Sequence, residues 1–267
     1  MNGAGPLEPP ISFDRVAPEY DATRALPEPA AAAIRAALLE RVRGDRLLDA
    51  GVGTGRWAGP LAAAGVRVVG VDVSARMMGV ARGRGVDRLL RADVRRLPFR
   101  DGAFDTVMSN HLLHLVRPWA AALAEFARVG RRRYLTVLTR EIADPDPSER
   151  YRALAAERGF SVDSPGLAER RLPDRLRPDR EAKILQEEER PPLEELLDPV
   201  ARRCYRFTWI LPDEVHAEIL TILRREFASA APRVVLEASL AEWSTDRLRA
   251  FADRELRRTA GAGPGPA

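Results

Sequence analysis

Leu47-Leu48-Asp49-Ala50-Gly51-Val52-Gly53-Thr54-Gly55-Arg56-Trp57 decides the fold of this chain. Apolar residues around a single acid read as a short strand buried on both faces. Three glycines at every second position follow, and then a helix over about 56–64. A strand that passes through glycines into a helix N-terminus leaves backbone close to any ligand at the strand's carboxyl end. In open α/β sheets that edge is where nucleotide-like ligands sit.

Working outward, apolar runs of strand type alternate with helical patterns. Val66–Asp72 is a second strand, and Ser74 is a natural N-cap for the helix after it. Arg88-Leu89-Leu90 begins a third strand, Phe104–Ser109 is a fourth and Tyr134–Leu138 a fifth. Trp119, Ala122, Leu123, Phe126 and Ala127 recur at helical spacing behind Pro118. This alternation predicts a doubly covered, mainly parallel Rossmann-like sheet. Beyond Arg140 the prolines 145, 147, 165, 173 and 178 allow only short helices, one near 148–158. A charged sixth strand is expected near 182–188 and a seventh at 233–240, with a terminal helix after it. Between the last two strands, residues 193–228 read as two helical pieces broken at Pro212, with Val215, Ile219, Ile222, Leu223 and Phe227 on one stripe. Where a hairpin would suffice, such an insertion (about 191–228) is a candidate lid. Residues 11–259 form one expected domain between unstructured ends at 1–10 and 260–267.

The glycine loop alone is ambiguous, because Gly53-Thr54-Gly55-Arg56-Trp57-Ala58 also satisfies the dinucleotide pattern G-x-G-x-x-[GA]. Three surrounding features favour S-adenosylmethionine over a nicotinamide. Asp49 enters the loop where a pyrophosphate would be repelled and an ammonium or sulfonium attracted. Asp72 ends the second strand, where an acid accepts ribose hydroxyls. Asp93 and Val94 close the third strand with a carboxylate for an exocyclic amine beside an apolar contact for adenine.

These residues resemble a known family. Asp49-x-Gly51-x-Gly53-x-Gly55, Val71-Asp72-Val73-Ser74 with Met77-Met78, Ala92-Asp93-Val94 through Leu97-Pro98-Phe99, and Phe104-Asp105-x-Val107 are similar to successive motifs of class I SAM-dependent methyltransferases. The similarity points to the ubiquinone/menaquinone-biosynthesis-type branch, and Phe13-Asp14-x-x-Ala17-x-x-Tyr20-Asp21-x-x-Arg24 is similar to that branch's N-terminal segment. It covers roughly residues 12–140. The resemblance implies a seven-stranded sheet with an N-terminal helical cap. It also implies a set of roles: Asp49, Gly51, Gly53 and Gly55 at the methionine end, Asp72 at the ribose, Met77 or Val73 at the adenine face, and Asp93 with Val94 at its edge. Tyr20 and Arg24 would close over the cofactor, S-adenosyl-L-methionine, with Asn110 beside it. Val129-Gly130-Arg131-Arg132-Arg133 departs from the family's Leu-x-Pro-Gly-Gly turn. Beyond residue 140, Tyr205–Thr208 with Leu211–His216 looks like uncharacterised bacterial members and names no substrate.

Composition narrows the field. The chain has 267 residues, 45% hydrophobic and 31% charged, with a single cysteine. No apolar run approaches the roughly 18 residues of a membrane span, and one cysteine excludes a disulfide framework and a multi-cysteine zinc site. Met1–Pro6 lacks the basic and apolar regions of a secretory signal, so a cytoplasmic enzyme is expected. Net charge is +4, and the 43 basic residues are all arginine except Lys183. The run Arg131-Arg132-Arg133 reads first as the solvated entry to a strand and second as a phosphate site; with the pI near 9.8 it keeps an RNA methyltransferase open, though no RNA-binding module accompanies it. A small-molecule acceptor is the primary expectation, and a non-catalytic SAM-binding regulator is the third.

In Asn110-His111-Leu112-Leu113-His114, after the fourth strand, His111 reads as a general base, a cofactor-lining residue or a packing residue, with His114 the lesser catalytic candidate. His216 reads as solvated on the lid helix, and Cys204 as a buried thiol. Tyr205, Phe207 and Trp209 read as lid core or acceptor-pocket lining. No residue spacing suits a metal.

Overall fold

Strand β1 (Arg46–Ala50) is the central rung from which the sheet is built. It pairs in parallel with β2 (Arg67–Asp72) on one side and β4 (Phe104–Met108) on the other, so Asp49 lies opposite Gly70 and Met108. β3 (Leu89–Arg91) extends the sheet beyond β2, and β5 (Gly130–Asp144) continues it beyond β4. β7 (Arg233–Ser244) runs antiparallel to β5 and to the edge strand β6 (Arg180–Glu189). The order is 3-2-1-4-5-7-6, a mixed seven-stranded sheet in which only β7 is reversed. The computed structural model describes residues 9–17, 20–22, 24, 26–230 and 232–261. Of the expected unstructured ends, residues 1–8 and 262–267 lie outside this set.

Helices cover both faces. α1 (Glu28–Val42), α2 (Ala58–Ala63) and α3 (Ala75–Gly83) bury Ile34, Leu38, Leu61 and Ala81 against one face, with Leu47, Val68 and Leu135 of the sheet. α4 (Trp119–Val129) and the terminal α9 (Thr245–Gly261) cover the other. There Phe126, Tyr134 and Trp243 stack, with ring centroids 5.6 and 5.7 Å apart. Each such ring stabilises the fold by about 1.5–3 kcal/mol through burial. Tyr134 remains polar at its tip, where its hydroxyl bonds Ser109 Oγ at 2.8 Å. Ser74 caps α3 as expected, accepting a hydrogen bond from Met77 N at 3.0 Å.

A third apolar cluster stands apart from the sheet. α5 (Pro147–Glu157), α7 (Leu193–Ala201) and α8 (Asp213–Glu226) pack Tyr151, Leu154, Leu197, Val200, Ile219 and Leu223 together. The expected lid at 191–228 is therefore only part of the cap, since α5, contributed before β6, completes it. The cap sits over a flared ribbon, because β5 runs six residues past Leu138 and stays paired with β7 to Asp144–Arg233. Between α5 and β6 the chain makes a single helical turn at Glu169–Arg171 and the short α6 (Leu172–Arg175).

One sequence reading changes here, and one is borne out. His216 is buried rather than solvated: its Nδ1 bonds the Tyr151 hydroxyl at 2.6 Å, and its Nε2 lies 3.2 Å from Ala201 O. It ties α5, α8 and the end of α7 together. The run Arg131–Arg133 enters β5 directly, with no separate turn. Arg132 and Arg133 pair with the buried Asp45, and Arg131 lies 3.9 Å from Asp105. Charges neutralised in this way give an RNA reading little support.

Candidate functional site

The glycine loop begins where β1 ends. Gly51 N and Val52 N both donate to Val71 O, at 2.7 and 2.9 Å, which pins the loop to β2. Gly51, Gly53 and Gly55 all hold positive φ, at 75, 53 and 73°. At Gly55 a Cβ would also lie 3.0 Å from the Ala81 Cβ. Gly55 is thus a packing glycine between the loop and α3, whereas Gly51 and Gly53 line the cavities above.

Two cavities meet over this loop. The first, about 250 Å³, is lined by Gly51, Gly53, Asp72, Val73, Met77 and Val94, with Pro9–Ile11 and Phe13 closing it from above. Asp72 accepts from Gly53 N at 2.9 Å and Ser74 N at 2.8 Å. Burial nevertheless raises its carboxyl above the usual range, against the pull of those backbone bonds. Met77 lines this cavity, whereas Met78 packs into the α1–α3 side of the core. Asp93 also lines it, but its carboxylate is gripped by Arg95, whose Nη2 lies 2.7 Å away. Burial pushes the Asp93 carboxyl up, and the bonds from Arg95 outweigh that and hold it low. An acid over a floor of small residues, with apolar walls, suits a ribose joined to a flat base.

The second cavity, about 450 Å³, is lined by Tyr20, Arg24, Asp49, Asn110, His111 and Tyr205, among others. Asp49 is 3% exposed, and among the described residues no hydrogen bond reaches its carboxylate. Burial, with Asp72 nearby, pushes it up to about 7. Arg24 lies over the Tyr20 and Tyr205 rings at 4.6 and 5.0 Å and donates to Cys204 O at 3.0 Å. Its Nε is buried without a partner among the described residues, as is Asn110 Nδ2. Buried polar groups without partners are costly and mark places where a ligand completes the bonding. A bare carboxylate and a bare guanidinium N–H in one cavity match the ammonium and carboxylate of an amino acid. The two cavities together fit an adenosyl amino acid, and Asp49 with Asp72 make a poor seat for a pyrophosphate.

The segment over the site is latched to it. Asp14 accepts from Ser74 Oγ at 2.5 Å and from Arg76 N at 3.1 Å. Asp21 accepts from Thr54 Oγ1 at 2.9 Å and pairs with Arg84 at 2.8 Å. Arg56 Nη1 donates to Arg24 O at 2.6 Å.

The loop after β4 carries the remaining candidates. Asn110 Oδ1 accepts from Val137 N at 2.9 Å. His111 adopts φ 52° and places Nε2 3.1 Å from Thr139 Oγ1. The side chain is exposed in the open cavity, yet desolvation by the protein atoms crowded round it pushes its imidazole down to about 4, so the ring is neutral near pH 7. His114 lines neither of these cavities. It faces Glu169, with Nδ1 3.7 Å from the carboxylate. The buried Glu169 also accepts from Leu112 N and Leu113 N at 2.5 and 2.7 Å. Burial works to raise its carboxyl, but His114 and these N–H bonds hold it below the usual range. Glu169 was absent from the sequence reading because its proline-broken stretch shows no periodicity. Arg56, Arg95 and Thr139 were absent as well, since an arginine among 42 or a strand threonine carries no signal of its own.

This fold and this pair of cavities define the class. Residues 48–138 match the family model described as a methyltransferase domain. The chain thus contains a SAM-dependent methyltransferase domain, for which the cofactor is S-adenosyl-L-methionine. A demethylmenaquinone methyltransferase of Beutenbergia cavernae is 42% identical over 33% of this chain and 37% of its own. A malonyl-[acyl-carrier protein] O-methyltransferase of Serratia marcescens is 34% identical over 45% of this chain and 47% of its own. The chain thus matches about half or less of each of these relatives. The YcgJ protein of Bacillus subtilis shares the fold, with a TM-score of 0.50 at 21% identity, covering 79% of this chain and 97% of that one. Among the described residues no helix is long and apolar enough to cross a membrane.

Proposed function

We propose that this chain methylates a small-molecule acceptor held between the glycine loop and the helical cap. The observation that carries the reading is the pairing, in one cavity, of an Asp49 carboxylate and an Arg24 Nε that have no hydrogen-bond partner among the described residues. When bound, S-adenosyl-L-methionine supplies a methyl group on a sulfonium, already activated for in-line displacement. Asp49 would hold its ammonium, Arg24 and Tyr20 its carboxylate, and Asp72 its ribose. Val73, Met77 and Val94 would enclose the base, with Asp93 at its edge.

The protein's own part is orientation and exclusion of water. Thr139 and the Glu169-bound loop fix the His111 ring at the wall shared by the two cavities. A neutral imidazole there accepts a hydrogen bond from an acceptor O–H or N–H and takes its proton as the methyl–acceptor bond forms. Asn110 Nδ2 offers a donor to the same space. His114 supports the loop through Glu169 rather than touching the acceptor.

The test is calorimetric binding of S-adenosylhomocysteine beside NADH, to the wild type and to Asp72→Ala, followed by transfer of label from methyl-labelled SAM into small-metabolite and RNA pools. Homocysteine-form binding lost in the variant, with label in small molecules, supports the reading. NADH binding in its place, or label in RNA alone, refutes it.

A further inference from the structure

Beyond His111 lies a third chamber of about 690 Å³, between the β5 extension, the Glu169–Arg171 turn and the cap. It shares Tyr20, Arg24, His111, Thr139 and Tyr205 with the 450 Å³ cavity, so the two are joined at the proposed acceptor position. Its far walls carry Arg152, Arg170, Arg171, Arg175 and Arg206.

Most of these side chains differ from the carboxylate-bound arginines of the molecule in what they bind. Arg128, Arg133 and Arg41 are each fixed on carboxylates at 2.6–3.0 Å. By contrast, no ion pair involves Arg170, Arg171 or Arg152 among the described residues, and Arg152 lies only over the Phe207 ring at 4.7 Å. Arg206 donates to a carbonyl, Asp163 O, at 2.9 Å, which leaves its charge uncompensated. Arg175 lies 3.6 Å from Glu255. The acids on the walls are Asp163 and Glu169, and Glu169 is already committed to Leu112, Leu113 and His114.

We propose that this chamber binds an anionic group of the methyl acceptor, a phosphate or carboxylate remote from the methylated atom, on Arg170, Arg171 and Arg152. The inference rests on the methyltransferase reading and names its substrate class. Guanidinium forks match planar or tetrahedral oxyanions. A concave wall with an excess of positive charge concentrates the field where an elongated acceptor would place its tail. Arg152, Arg170 and Arg171 are exposed, so this side of the chamber opens to solvent, and their few charges make a small patch rather than the broad basic stripe of a nucleic-acid site.

The test titrates pyrophosphate, and separately citrate, into protein saturated with S-adenosylhomocysteine. The comparison is between the wild type, Arg170→Gln/Arg171→Gln and a charge-matched control, Arg43→Gln/Arg67→Gln. The expected result is binding of at least one anion that weakens about tenfold or more in the first variant and less than twofold in the control. Homocysteine-form affinity should be unchanged in all three. Whichever anion binds more tightly assigns the tail as phosphate or carboxylate. In parallel, label from SAM should enter the metabolite fraction retained on an anion exchanger, and less of it with the Arg170/Arg171 variant. Equal anion binding in variant and control, no anion binding by the loaded wild type, or label only in the unretained fraction overturns the proposal. Failure of the wild type to bind S-adenosylhomocysteine is a separate outcome, and it sinks the methyltransferase reading itself.

Discussion

Replacing Asp49 with Asn should stabilise the empty protein while weakening its hold on the cofactor, and both effects should depend on pH. The folded carboxyl stands at about 7, against a model value of 3.8. The folded state therefore binds the proton more tightly than the unfolded chain. Its contribution to stability is full below about pH 4, declines as pH rises and is lost above about pH 7. A shift of about three pKa units is worth about 4 kcal/mol. Apo Asp49→Asn should match the wild type near pH 4 and exceed it by up to that amount near pH 8. In thermal denaturation the gap is roughly 10 °C for a chain of this size. Ligand binding reverses the preference, because an ammonium beside Asp49 favours the charged carboxylate. Wild-type affinity for S-adenosylhomocysteine should rise about eightfold from about pH 6 to about pH 7.5, with close to one proton released on binding at the lower pH. Calorimetry in two buffers of different ionisation enthalpy measures that proton. A variant whose Tm runs parallel to the wild type across pH, with flat wild-type affinity, would refute the assignment of an unpaired carboxylate.

Three further outcomes are expected. Gly55→Ala combines a φ of 73° with a Cβ 3.0 Å from Ala81 and should cost roughly 1–3 kcal/mol, read as a lowered Tm with the cavity-lining residues unchanged. His111→Ala should lower turnover about 10²–10⁴-fold with S-adenosylhomocysteine affinity nearly unchanged, and Glu169→Gln, which keeps an acceptor oxygen, should lose less than Glu169→Ala; equal turnover in all three contradicts the role given to the loop. Tyr151→Phe removes the hydroxyl 2.6 Å from His216 Nδ1 and should cost about 1–3 kcal/mol, seen as faster amide exchange confined to α5, α7 and α8.

The nucleotide half of the molecule was legible because its signals are local. Glycines after a buried strand, Ser74 before α3 and Asp72 at a strand end each require only neighbouring residues to be understood. α1 escaped the periodicity reading since alanine forms helix readily but gives no apolar stripe at Ala30–Ala33. Asp93 was read as an adenine acceptor without its clamp, because Arg95 is one arginine among many. The acceptor side was the least legible. Glu169 meets Leu112 and Leu113 across 57 and 56 residues, and His216 meets Tyr151 across 65. Contacts at that range leave no periodic trace, and burying a charged or ring side chain depends on partners that sequence spacing does not reveal.

β5 carries a seam. The matched methyltransferase segment ends at residue 138, between Val137, whose N–H holds Asn110, and Thr139, whose hydroxyl holds His111. One strand therefore joins the segment matched by the family model to the part beyond it, one rung apart. Everything hung beyond that rung, from the ribbon to the three-helix cap and the arginine-walled chamber, can diverge without disturbing how Asp49, Asp72 and the glycines are arrayed. On the function proposed above, much of the acceptor's surroundings falls within residues 139–236, with His111 and Asn110 contributed from before the seam. A graft of that span from a relative with another acceptor, joined at the same rung, should carry its selectivity with it.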